Sequence, residues 1–278
     1  MLYGTELLLL RSRVAGSPLK RRAARSLLGS AAVLLAISRY TRDLCRDTLD
    51  ELRLAGNAID IRVVPLGTDP HHFRPGIATA GVRLRYGLGD GRWLLTVARL
   101  AAHKGIDTGL RVLAELRDEY PDLGYAVVGT GRQQEQLQEL AQSLGVAHRV
   151  RFLTNVPDED LPALYNSAEL YLGVSRPVEL MIEGFGISLS EASACGIPVI
   201  GATAGGIPDA VRDGETGLLV DAGRPEAVVK AVRLLLQDHD LARRLGAGGR
   251  HAVETFYNWD RVAADVMRIG REHARPIL

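Results

Sequence analysis

Cysteine is close to absent from this chain. Cys45 and Cys195 are the only two among 278 residues. Two thiols exclude a multi-bridge disulfide framework and a cysteine-rich zinc site. Both fall in apolar helical patterns and read as buried free thiols, which suits a reducing, cytoplasmic compartment. Net charge is nearly absent too: 34 basic and 33 acidic residues leave a formal +1. A general nucleic-acid binder wants a strongly basic footprint, so no nucleic-acid partner is expected. Long apolar runs are also missing, whereas a membrane-spanning helix needs roughly 20 such residues. The start, MLYGTELLLLRSRVAG, has an apolar patch with no basic region before it and no small-residue cleavage site, so it does not read as a signal peptide. None of the seven histidines forms a metal-spaced pair. His71 and His72 are adjacent, and neighbours on an extended chain face opposite ways, so no metal site is expected.

What is present is a regular alternation. Hydrophobic residues make up 46% and charged residues 24%, as in a globular protein with a substantial core. From residue 92 onward, short apolar strands alternate with helices. RWLLTVARL, GYAVVGTG, RVRFLTNV, LYLGVS, IPVIGATAG and ETGLLVD read as strands. Between them KGIDTGLRVLAELRDEYP, RQQEQLQELAQSLG and DEDLPALYNSA read as helices, and IPDAVRDG as a short one. RPEAVVKAVRLLLQD reads as a further helix with Pro225 near its start. Strands apolar throughout belong to a parallel sheet covered on both faces. Residues 71–254 are therefore expected to form a complete doubly wound α/β domain.

Residues 1–70 differ. They show helices over 5–13, 17–30 and 40–54 but only two evident strands, over 32–38 and 59–67. Two parallel strands leave open edges. This front piece reads as the back half of a second α/β domain whose first half is missing. It is expected to be covered by a second copy of the chain or to be partly disordered. The tail, 255–278, reads as an amphipathic helix crossing back to brace it. The helix SPLKRRAARSLLGS sets Lys20, Arg21, Arg22 and Arg25 beside Leu19, Leu27 and Leu28. It fits an anionic membrane surface, although a solvated helix face would look the same.

Ligands of an open α/β sheet sit beyond the carboxyl ends of its strands. Arg99 and Lys104 share one loop there; an arginine fork and a lysine point charge suit a diphosphate. Gly129 and Gly131 allow close backbone approach, but G-x-G alone is weak and Gln134 stands where a dinucleotide fingerprint needs glycine. EGFGISLSEASACGIPV is the densest stretch. Backbone N–H groups from Gly184 through Phe185 and Gly186 to Ile187 open a helix, a ready anion site. Glu191, one turn on, has two acceptor oxygens suited to a vicinal diol. Glu183 is placed to accept sugar hydroxyls or to balance the lysine. Gly205 and Gly206 make another turn on the same side. Phosphates, ribose and sugar are the simplest common ligand.

VARLAAHKG, VVGTG, EGFGISLSEASACGIPVIG and GGIPDAVRDGETGLLV closely resemble glycosyltransferase family 4, the retaining nucleotide-sugar transferases of GT-B fold. GVSRPVELMIEGFGISL further resembles the phosphatidylinositol mannosyltransferase-like branch. The resemblance implies a GT-B-type α/β fold with an incomplete N-terminal, acceptor-side domain. It implies that Arg99 and Lys104 bind the diphosphate, that Glu183 lies near the donor sugar, and that Glu191 binds the ribose. It places Asn155 and Val156, in FLTNV, on the nucleobase side, with Thr154 where glycine is common. Tyr3 and Gly4, in YGTELL, match an acceptor-side HGTE turn, with tyrosine where histidine is usual. The implied activity is metal-independent transfer of a sugar from a nucleoside-diphosphate sugar, with retention and without a cofactor, to a glycolipid or polysaccharide precursor. A nucleotide-binding module without transfer and a nucleotide-sugar epimerase of similar fold are the alternatives.

Overall fold

A computed structural model describes residues 1–14, 17–54 and 59–274. The front piece opens with α1 (Thr5–Val14), α2 (Pro18–Gly29), β1 (Val33–Ala36), α3 (Arg39–Glu51) and β2 (Asp60–Val63). Ser17 and Ser38 are the N-caps of α2 and α3; their side chains accept from Lys20 N–H and Thr41 N–H. β1 and β2 pair in parallel, Val33 opposite Asp60. Leu2 adds a parallel bridge to Ala36 on the other side of β1. Leu7, Ala24, Leu28, Leu34, Leu44, Cys45 and Leu49 form a small core of their own.

The rear piece runs α4 (Ala80–Arg85), β3 (Arg92–Val97), α5 (Ile106–Glu115), β4 (Leu123–Val128), α6 (Gln134–Ser143), β5 (Val150–Leu153), α7 (Leu161–Asn166) and β6 (Leu170–Gly173). It continues with α8 (Ile187–Ala194), β7 (Val199–Ala202), β8 (Leu218–Val220), α9 (Pro225–Gln237) and α10 (His239–Thr255), before α11 (Trp259–His273). Its six strands lie in the order β5-β4-β3-β6-β7-β8, all parallel. The winding starts at β3, runs out to β5, and restarts at β6 on the other side. That reversal leaves a crevice between β3 and β6 at the carboxyl edge. Every residue of β4 is buried, as a doubly covered strand requires.

Three elements differ from the sequence expectation. The helix expected from Lys104 to Pro121 spans only Ile106–Glu115, and Lys104 itself ends a separate 3-10 turn, Ala102–Lys104. IPDAVRDG forms one 3-10 turn, Ile207–Asp209, rather than a helix. α10 holds Gly246, Gly248 and Gly249, which disguise a helix in sequence. A Cβ on Gly246 would stand 2.2 Å from Gly196 O, and one on Gly248 2.2 Å from Glu215 O. Close packing against the rear domain, not a loop, calls for these two glycines.

α11 returns to the front. Val262 and Ile269 pack with Val64, Val33 and Leu35 on the β1–β2 sheet. The two passages between front and rear abut: Thr68 N–H donates to Tyr257 O at 2.9 Å, and a Cβ on Gly67 would lie 2.3 Å from Asn258 C. Arg261 Nη2 reaches Pro65 O at 2.6 Å. Arg250 Nη1 donates to Pro70 O, Phe73 O and Ala194 O at 2.8–2.9 Å. Farther along the junction, Arg39 Nε meets Asp209 Oδ1 at 2.6 Å.

Candidate functional site

The crevice between β3 and β6 opens into a cleft of about 560 Å³, the size of a small-molecule site. Arg99, Lys104, Gly129, Asn155, Val156, Glu183, Ile187 and Glu191 line it together. These residues come from the ends of β3, β4 and β5, from the loop after β6 and from the start of α8. The positive loop and the glycine turn thus share one hollow.

The glycines of VVGTG have a packing explanation. A Cβ on Gly129 would meet Ala98 O at 2.1 Å, and one on Gly131 would meet Leu100 O at 2.3 Å. Leu100 N–H donates to Thr130 O at 2.9 Å. The two glycines let the loop after β4 lie flat against the loop carrying Arg99. Gly131 does not line the cleft; Gly129 and Thr130 do.

Gly205 and Gly206 work similarly behind Glu183. Gly206 N–H donates to Glu183 O at 2.9 Å, and a Cβ on Gly206 would sit 1.8 Å from Gly184 O. On the front side a Cβ on Gly184 would meet Tyr3 O at 2.4 Å. Gly184 is therefore pressed between the front piece and the Gly205–Gly206 turn. The Phe185 side chain is buried in the core, 6.2 Å from the Tyr257 ring centroid, and Gly184, Phe185 and Gly186 do not themselves line the cleft, unlike Glu183 and Ile187 on either side of them. Gly186, at φ 94°, ends the turn and starts α8. Tyr3 and Gly4 abut this turn and do not line the cleft.

The charged groups are unequal in their partners. Lys104 Nζ donates to Glu183 Oε2, and both side chains are largely shielded. Arg99 is exposed and has no carboxylate partner among the described residues. Glu191 Oε2 accepts the Tyr165 hydroxyl at 2.6 Å. Burial raises the Glu191 carboxyl above its ordinary range, and the Tyr165 hydrogen bond opposes that only in part. Tyr165 is wholly buried and held protonated well above its usual range, so it meets the Glu191 carboxylate as the donor. His103, next to Lys104, is buried, and burial followed by the lysine's charge lowers its pKa.

Sequence reading missed Tyr165, Ser188 and Thr130. Tyr165 lies in the short helix α7 and nothing in its local pattern marks it; only the fold brings it to Glu191. The assembled cleft suits an anionic ligand bearing a diol. Arg99, Lys104 and the unpaired N–H groups at the start of α8 attract negative charge. The second oxygen of Glu191 remains available to accept hydroxyls.

Comparison with known proteins agrees with this geometry. The family model "Glycosyl transferases group 1" matches residues 86–252, the span that carries every strand of the rear sheet. The GDP-mannose-dependent alpha-(1-6)-phosphatidylinositol monomannoside mannosyltransferase of Mycolicibacterium smegmatis is 38% identical over 263 residues, covering 93% of this chain and 67% of that protein. The D-inositol 3-phosphate glycosyltransferase of Acidothermus cellulolyticus is 34% identical over 259 residues, covering 89% of this chain and 56% of that protein. Among solved structures, sucrose-phosphate synthase from Thermosynechococcus elongatus superposes with a TM-score of 0.76 at 27% identity, over 96% of this chain and 65% of its own. The chain thus spans about two thirds or less of the length of these proteins. With the strand order, the cleft and the family match in agreement, the chain belongs to the group 1 glycosyl transferases and has their GT-B-type fold.

Proposed function

We propose that this chain binds a nucleoside-diphosphate sugar in the β3–β6 cleft and transfers the sugar, with retention, to a glycolipid-type acceptor. The single observation that carries the proposal is the meeting of Arg99, Lys104, Glu183, Glu191 and the start of α8 in one hollow. Arg99, Lys104 and the α8 dipole take up the charge that grows on the departing diphosphate. Glu191 accepts the ribose hydroxyls, with Tyr165 holding the other carboxylate oxygen. Lys104 turns from Glu183 to the phosphates, leaving Glu183 to receive sugar hydroxyls. Glu183 is paired with a cation and is given no nucleophilic role. Attack on the face the diphosphate leaves accounts for retention. No metal ion or cofactor is assigned a role.

GDP-mannose is the first donor to test, because it is the donor named for the mannosyltransferase relative. Asp158, just beyond Val156, is close enough to Glu191 for its charge to help raise that carboxyl. An acceptor there suits the guanine edge, which offers donors. Calorimetry with GDP, UDP and ADP, followed by transfer and hydrolysis assays with GDP-mannose, tests the proposal. Binding with transfer supports it. Binding without turnover makes the chain a nucleotide-binding module, and a merely converted donor makes it an epimerase. Failure of all three nucleotides to bind removes the site reading altogether.

The acceptor side favours a membrane surface. α2 buries only Ala24 and Leu28. Leu19 and Leu27 are 79% and 74% exposed, beside Lys20, Arg22 and Arg25, and the helix carries no acid. An apolar stripe edged by cations fits an anionic bilayer at the inner face of a membrane. No helix among the described residues is long and apolar enough to cross one. Co-sedimentation with phosphatidylglycerol vesicles, but not with phosphatidylcholine vesicles, is expected. Loss of that difference in Arg21→Glu/Arg22→Glu is expected too.

A further inference from the structure

Lys104 and Glu183 lie on different loops, and neither loop is held in place by their contact alone. The stretch from Val174 to Gly186 is long and carries only one internal bridge, Val178 to Met181. Glu179, at its tip, sits at φ 52°, an uncommon conformation for a residue with a side chain. Something must fix the near end of this loop if Glu183, at its far end, is to meet Lys104.

Arg176 does so through several contacts with the segment that carries Lys104. Its backbone N–H donates to His103 O at 2.8 Å. Its guanidinium forks onto Asp107, Nη1 to Oδ1 at 2.9 Å and Nη2 to Oδ2 at 2.8 Å. Nη1 also reaches Thr108 Oγ1 at 3.2 Å. Asp107 lies in the first turn of α5, where the helix dipole favours its charge. The backbones touch as well. Gly105 sits at φ 69°, and a Cβ on it would lie 2.1 Å from Val174 O. The fork is only about a third exposed, so solvent screens it less than an ordinary surface pair.

These contacts close a ring. Lys104 meets Glu183; the loop runs back from Glu183 to Arg176; Arg176 grips Asp107 and His103 on either side of Lys104 in sequence. We infer that Arg176 is a positioning residue: its fork onto Asp107 sets the distance between the two loops and so holds Lys104 where the cleft needs it. Arginine suits this task and lysine does not, because two parallel hydrogen bonds fix an angle as well as a distance. The consequence for nucleotide binding rests on the proposed function; the placement of Lys104 does not.

The test therefore begins without ligand. The chain has lysines at 20, 104 and 230, so acetylation by acetic anhydride, followed by peptide mass spectrometry, reads Lys104 with Lys20 and Lys230 as internal controls. In the native protein Lys104 is expected to react slowest. In Arg176→Ala and in Asp107→Asn its rate should rise about tenfold, the scale of a lost charged hydrogen bond, with Lys20 and Lys230 unchanged. Arg176→Lys should fall between. The gentler Asp107→Asn and Arg176→Lys carry the test if Arg176→Ala does not fold, as judged by its thermal melt.

The second readout is the ratio of GDP to GMP affinity. Arg176→Ala should shrink it about tenfold, as Lys104→Ala does, and the double variant should be no worse than Lys104→Ala alone. A merely structural role would lower both affinities together and leave the ratio intact. A Lys104 acetylation rate unchanged in folded variants overturns the inference. So does an unchanged GDP to GMP ratio in Arg176→Ala beside a collapsed one in Lys104→Ala. Raised Lys104 reactivity in a protein that binds neither nucleotide would uphold the positioning role and remove the nucleotide reading.

Discussion

Two regions of this molecule use arginine and lysine in opposite ways. Along the junction of front and rear, Arg250 and Arg261 end on backbone carbonyls: Pro70, Phe73 and Ala194 for one, Pro65 and Phe256 for the other. Their remaining donors meet carboxylates, Glu254 for Arg250 and Asp265 for Arg261, so each guanidinium is largely spent. In the cleft, Lys104 ends on a single carboxylate and Arg99 projects into the open. A saturated cation is cement, because removing it strands several acceptors at once. An unsaturated cation over a hollow is a grip waiting for an anion. Both places hold cations, and the count of satisfied partners tells them apart.

The largest effect should come from the junction. Arg250→Ala strands carbonyls and should cost about 2–4 kcal/mol of unfolding free energy, read by urea titration, while nucleotide affinity in the folded protein stays level. A loss under about 1 kcal/mol would mean that water replaces the guanidinium there, and the contrast would fade. Lys104→Ala should do the reverse. Calorimetry should show about 1–3 kcal/mol less affinity for a nucleoside diphosphate, with little change in melting temperature. Equal damage to stability and binding would erase the distinction between the two regions.

Glu191→Gln sharpens the comparison further, since one group then affects stability and function with opposite sign. The folded protein holds the Glu191 proton more tightly than an unfolded chain does. Its contribution to stability is thus greatest below the ordinary carboxylate range and is lost as pH rises through the raised value. Above that raised value the ionised, buried group works against the fold. Glu191→Gln should then melt higher than the native protein at pH 8, with the gap closing toward pH 5, and should bind nucleotide about 1 kcal/mol more weakly. A variant that melts lower at pH 8 would contradict the sign. Smallest of all, Arg233→Ala breaks a pair with Glu119 whose side chains are 35% and 38% exposed. It should change stability by about 0.5 kcal/mol at most.

Much of the rear domain was legible because its strands are short, apolar and separated by helical periodicity. That pattern has few physical solutions other than a covered parallel sheet. The cleft's charged residues were legible as well. Arg99, Lys104, Glu183 and Glu191 follow strand ends, and strand ends of such a sheet converge. Less local features were hidden. Tyr165 reaches Glu191 from another helix, and no spacing announces that. The glycine pairs at 129 and 131 and at 205 and 206 look like ligand loops but fit close backbone crossings, which only coordinates distinguish. α10 was hidden because glycine lowers helix propensity, while its glycines answer to α8 and the β7–β8 turn packed against them.

Gly67 and Asn258 touch where the chain passes from front to rear and back again. Neither passage has room to spare there, so a side chain added at Gly67 must push the two apart. Arg39 on Asp209 and Tyr3 O against Gly184 lie on the same seam, and a wedge at Gly67 would loosen both.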